Sequence, residues 1–199
     1  MSDGYLDHYM EGYFGRLKRT IDAVPFESVT AMGETLYRAY QHNKQVFIIG
    51  NGGSAATASH MACDLGKNTI GPNRRRFRVL SLTDNMPLVS ALANDVGYES
   101  VFSEQLINLI RPGDVLIVLS GSGHSTNIIS AMRYARERAA TIIALLGFDG
   151  GEAAELADEC VVIPVSDYGL VEDMHMVLNH VLVGYFRERL EQEEDPALA

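Results

Sequence analysis

Five short apolar runs set at intervals along the chain do most to restrict its fold. They are Val46–Ile49, Phe77–Leu82, Val115–Leu119, Thr141–Leu146 and Cys160–Val165. Each is β-branched and apolar on both faces, as strands covered on both sides must be. Between them lie helical patterns at about 54–67, 86–94, 100–110, 125–138 and 152–157. Strands separated by helices predict βαβ units and an α/β, doubly wound, five-stranded parallel sheet. Three further helices lie outside the alternation. Tyr5, Leu6, Tyr9, Met10, Tyr13, Phe14 and Leu17 form one stripe at helical spacing, and Phe26, Val29, Met32, Leu36 and Tyr40 form a second. Leu170 to Leu190 forms a long last helix. The first stripe is read either as core or as a contact with another chain.

A length of 199 residues suits one domain. It divides into N-terminal helices (1–43), an α/β core with the last helix (44–190) and a frayed tail (191–199). No apolar run approaches the ~20 residues of a membrane helix, and MSDGYLDHYM lacks a basic leader, so a cytoplasmic location is expected. Cys63 and Cys160 form no CxxC pair and read as two small buried residues of a reduced protein. A net charge of −10 disfavours nucleic acid as a partner. The local exception, Arg74-Arg75-Arg76 with Arg78, reads as a solvated loop, with a phosphate or a neighbouring subunit as the alternative.

Ligands of a parallel sheet bind beyond the carboxyl ends of the strands. Two strands here run into glycine- and serine-rich loops, Gly50-Asn51-Gly52-Gly53-Ser54 and Ser120-Gly121-Ser122-Gly123-His124-Ser125. Glycine frees backbone N–H groups to face an anion, serine adds hydroxyl donors, and each loop opens a helix whose N-terminus favours negative charge. Together they predict a phosphate cradle. The rival is a dinucleotide fingerprint, Gly50-x-Gly52-x-x-Ala55. It needs an acidic residue about twenty positions on, and Asp84 comes about ten too late. No nucleotide is expected.

His60 and Asp64 stand i and i+4 on the helix after the first loop and share a face. On the last helix Glu172, Met176 and His180 follow one ridge, with His175 and Asn179 beside it. Glu172 and His180 lie about 12 Å apart along the axis, near the limit for sharing one ion. His60, Asp64, Glu172 and His180 make a candidate site for zinc or a similar divalent ion. The alternative is four polar residues at a helix–helix contact.

GNGGS with its His-x-x-x-carboxylate helix, ANDVGYESVF, SGSGHS, LLGFDGG and a His-bearing last helix together resemble the sugar isomerase (SIS) domain. The likeness covers nearly the whole chain and is strongest to the phosphoheptose isomerases within that family. It implies an aldose–ketose isomerase, acting on sedoheptulose 7-phosphate through an enediol, and a homotetramer with sites between subunits. By the same resemblance Ser54, Ser120, Ser122 and Ser125 bind phosphate beside Gly52, Gly53 and Gly121, and Asn51 and Asp95 line the sugar. His60 is a metal ligand, and His180 an acid/base group or ligand. Asp64, or Glu172 in its stead, is the base. The chain departs from the family where Asp64 replaces glutamate, Glu172 glutamine, Gly121 threonine and Gly169 aspartate. The alternatives are a non-catalytic relative that binds a phosphosugar or a replication initiator, and an isomerase of another sugar phosphate. Retention of His60, His180 and a carboxylate at 64 argues for catalysis.

Overall fold

The computed structural model describes residues 4–192. Five strands form one parallel sheet in the order β2-β1-β3-β4-β5. They are β1 (Gln45–Gly50), β2 (Arg78–Ser81), β3 (Val115–Ser120), β4 (Thr141–Gly147) and β5 (Glu159–Ile163). The helices are α1 (Tyr5–Asp22), α2 (Phe26–Gln41), α3 (Gly53–Lys67), α4 (Met86–Asp95), α5 (Ser103–Leu109), α6 (Thr126–Glu137), α7 (Gly151–Leu156) and α8 (Tyr168–Glu191). The pattern expected as one helix over 100–110 divides into a 3₁₀ turn at Tyr98–Ser100 and α5, because Val101 and Phe102 turn into the core between them. Of the tail expected to fray, Glu191 ends α8 and Gln192 caps it, while 193–199 lie outside the described residues.

The period-2 alternation of side chains builds two cores. Val46, Ile48, Ile117, Leu119, Ile143 and Leu145 face α2, α3 and α8. Phe47, Ile49, Leu116, Val118, Ile142 and Leu146 face α5, α6 and α7. Burial on both faces holds for the three central strands. It fails for β2, an edge strand that leaves Arg78 and Leu80 exposed. Among the described residues no helix is long and apolar enough to cross a membrane.

The strand order decides where a ligand can sit. The chain leaves β1 in one direction to form β2, then crosses back to place β3 on the other side of β1. The crevice at that reversal opens at the carboxyl ends of β1 and β3, where the two serine loops begin. Strands β1 and β3 pair in register up to Gly50 opposite Leu119, so both loops start at the same height.

The aromatic stripe of α1 is not core. Helix α1 meets α8 through polar contacts, Tyr13 donating to Asp173 at 2.5 Å and Arg16 standing 3.8 Å from Asp167. The bond to the Asp173 carboxylate pushes the Tyr13 phenol up to about 12. Leu17 alone of the stripe packs on the core, while Tyr5, Leu6, Tyr9 and Phe14 are each more than half exposed. Cys63 is exposed and Cys160 half-buried, against the expectation that both are inside, and neither forms a disulfide.

Candidate active site

The first loop turns sharply because its glycines permit it. Gly52 has φ +54° and precedes α3 directly. A Cβ on Gly50 would stand 2.6 Å from the Ser54 carbonyl, so only glycine lets the strand end pack on the helix start. In the second loop Gly123, at φ +68°, donates its N–H to Ser120 Oγ at 3.1 Å, and its own carbonyl accepts from Ala153 at 3.0 Å.

Two asparagines join the loops. Asn51 and Asn127 exchange side-chain hydrogen bonds of 2.9 and 2.8 Å, and the Tyr98 hydroxyl donates to Asn51 Oδ1 at 2.9 Å. Between the loops is a cavity of about 120 Å³, lined by Asn51, Ser54, Ser120, Gly121, Ser122 and Ser125, with Tyr168 and Glu172 closing it from α8. At ~30 Å³ per water, that is room for about four waters or one small group. The four serines singled out in the sequence therefore converge. Gly53 lies directly beneath the carboxylate of Glu172, 2.3 Å from it were a Cβ present. Asp95 does not line the cavity: it is exposed at the end of α4, where Asn94 donates to it at 2.7 Å.

Tyr168, Tyr98 and Asn127 were not foreseen. The Tyr168 ring lies on Phe148, with centroids 4.8 Å apart, and fills the space above Gly121, where a Cβ would be 2.7 Å from it. A glycine beside an aromatic at a helix start was the available signal, but they are 47 residues apart. Asp167 caps α8, accepting from the N–H groups of Gly169 and Leu170 at 3.0 and 3.4 Å.

Farther along the groove between α3 and α8, a second group assembles. His60 Nε2 is 3.1 Å from Asp64 Oδ2, and His180 Nε2 is 3.8 Å from that oxygen and 3.3 Å from His60 Nε2. Ligand atoms of all three lie within 4.8 Å of one another. Two imidazoles and a carboxylate aimed at one point are a donor set suited to zinc or a similar divalent ion. Glu172, expected as the fourth member, is absent from this group. It is two turns earlier on α8, and the crossing of the helices puts it at the cradle instead.

Other candidates resolve differently. A cavity of about 600 Å³ is bounded by α5, α6 and α7 and includes His124. Its Arg133 is paired with Glu152 at 2.6 Å, and Glu104 and Glu137 add negative charge, so it is poorly suited to phosphate. Asp84 accepts from Ser59 of α3 and is thus engaged where a dinucleotide site needs it free. In the arginine cluster, Arg75 and Arg78 donate to the carbonyls of Gln41 and Asn43, both at 2.9 Å, and brace the loop before β2.

The SIS domain family matches residues 8–147, and the 2-1-3-4-5 parallel sheet with paired serine loops at its switch point accords with that match. A phosphoheptose isomerase from Geotalea daltonii is 36% identical over 162 residues, which cover 81% of this chain and 84% of the relative. One from Mycobacterium tuberculosis is 37% identical over 161 residues, covering 81% and 82%. The structure of a phosphoheptose isomerase from Neisseria gonorrhoeae superposes with a TM-score of 0.85 at 28% identity, covering 92% of this chain and 99% of its own. The chain belongs to the phosphoheptose isomerase family.

Proposed function

We propose that this protein interconverts sedoheptulose 7-phosphate and a D-glycero-heptose 7-phosphate. The observation that carries the reading is that one helix, α3, joins a phosphate-sized serine cradle to a His–His–carboxylate group. His60 lies six positions past Ser54, about 9 Å along the axis. A sugar phosphate held by its phosphate at Ser54, Ser120, Ser122 and Ser125 extends its reactive carbons along that helix. The phosphate contacts supply binding energy remote from the reaction, which orients the carbonyl end.

Isomerisation moves a proton between C1 and C2 through a cis-enediol. Two carboxylates are placed to carry it: Asp64, whose Oδ2 faces both imidazoles, and Glu172, on the cavity wall beside the first loop. His180, with its side chain more than half exposed, moves the proton on the sugar oxygen. His60, Asp64 and His180 would hold a divalent ion, most simply zinc, which when bound polarises the carbonyl. The exposed stripe of α1 fits burial against further copies of the chain, a tetramer that would complete the site around Asp95. The unpaired cysteines fit a cytoplasmic enzyme.

The test is turnover of sedoheptulose 7-phosphate by purified protein, with added zinc and after chelation. Zinc-dependent formation of an aldoheptose phosphate supports the reading. A sugar phosphate bound without turnover overturns it in favour of a binding protein. Because Asp64→Asn also removes a metal ligand, the base is read from Glu172→Gln: lost carbon-proton exchange with metal binding retained makes Glu172 the base, and retained exchange leaves Asp64.

A further inference from the structure

The Asp64 side chain is held from two helices. Asn68, the residue that caps the C-terminus of α3, donates Nδ2–H to Asp64 Oδ1 at 2.9 Å. Asn179, from α8, donates Nδ2–H to Asp64 Oδ2 at 3.1 Å. Each carboxylate oxygen thus has its own amide, and Oδ2 alone also faces the histidines. With its side chain only 13% exposed, the carboxylate has little water to compete for these bonds.

Asn179 is an unexpected residue at its position. It is fully buried, and its Oδ1 has no hydrogen-bond partner among the described residues. Leaving a buried acceptor unpaired opposes folding, and a leucine would fill such a helix position without that cost. The one strong use its amide has is the bond to Asp64. Its other nitrogen contact is a 3.9 Å approach to the Met176 sulfur.

We propose that Asn68 and Asn179 are positioning residues that clamp Asp64 so that Oδ1 is occupied and Oδ2 alone is presented to the point shared with His60 and His180. The clamp compensates for a short side chain: aspartate has one rotatable bond fewer than glutamate and cannot adjust its reach. This inference rests on reading His60, Asp64 and His180 as a divalent-ion site. It is separate from the identity of the sugar.

The experiment compares wild type with Asn179→Leu and Asn68→Ala. The readouts are affinity for Co²⁺ alone, followed by its visible absorption, then kcat and KM for sedoheptulose 7-phosphate, and Tm. Loss of a partner that orients a metal ligand typically weakens metal affinity 10- to 100-fold. Each variant is expected to show that loss and a comparable drop in kcat, with KM within about twofold because the phosphate cradle is untouched. The Tm of Asn179→Leu is expected to hold or rise, the opposite of what a purely structural residue shows on replacement. Cobalt bound equally by wild type and both variants overturns the proposal, as does a wild type that binds none. Weakened cobalt binding in the variants, with no turnover of the heptose by wild type, supports the clamp while refuting the substrate.

Discussion

His175 gives the structure a built-in response to acid. It lies on α8 at 1% exposure, and among the described residues neither ring nitrogen has a partner at full hydrogen-bond geometry. Burial disfavours the imidazolium and lowers its pKa from 6.5 to about 4, a shift the nearby Leu146 carbonyl only partly opposes. The unfolded chain therefore takes up a proton near pH 6.5 that the folded chain refuses until about pH 4. Above pH 6.5 both states are neutral and the group has no effect; as pH falls from 6.5 to 4, stability is lost progressively. At 1.36 kcal/mol per unit, the full difference is about 3 kcal/mol. For a chain of this size that is roughly 6–12 °C in Tm. Acidification acts on the rest of the chain as well, so the assay is a difference. Tm is measured from pH 7 to 4.5 for wild type and His175→Leu, in which the site stays apolar. The leucine variant is expected to lose markedly less Tm on acidification. Parallel curves for the two proteins would refute the assignment of the acid response to this ring.

Gly53→Ala places a methyl group where the Glu172 carboxylate now lies. That carboxylate is the free end of a side chain and can swing away, so Tm should change by less than about 2 °C, while its displacement from the cradle should lower kcat/KM ~10-fold or more. Gly123→Ala meets backbone instead, its Cβ 2.0 Å from the Gly150 carbonyl oxygen at φ +68°. This should cost ~1–3 kcal/mol in denaturant unfolding and weaken competition by inorganic phosphate. His180→Ala removes a largely exposed side chain and should leave stability within ~0.5 kcal/mol while reducing turnover ~10²-fold or more. Near-normal turnover would remove His180 from the mechanism.

Local chemistry made much of this legible. The central strands announced themselves because a strand covered on both faces has no polar side to show, and the two loops because a tight anion-facing turn needs glycine and serine. The i,i+4 pairing of His60 and Asp64 followed from helical periodicity alone. The reading erred where it extended helical spacing to an inter-helix question. Glu172 and His180 share a ridge of α8, yet that ridge crosses α3 and meets the cradle at one end and the histidine group at the other. The α1 stripe had the right period for a core helix, but periodicity cannot say whether an apolar face meets the same chain or another.

The sequence by itself determined the elements, the parallel sheet they imply, and which residue types could cradle a phosphate or hold an ion. Tertiary structure alone decided that β1 and β3 are neighbours, so loops seventy residues apart enclose one cavity. It alone brought Asn179 to Asp64, 115 positions away, and laid Tyr168 over Gly121. The reason is physical: hydrogen bonding and side-chain periodicity act over a few residues and leave a trace in the local pattern. Contacts between α3 and α8 depend instead on strand order and helix crossing, which no short stretch of the chain encodes.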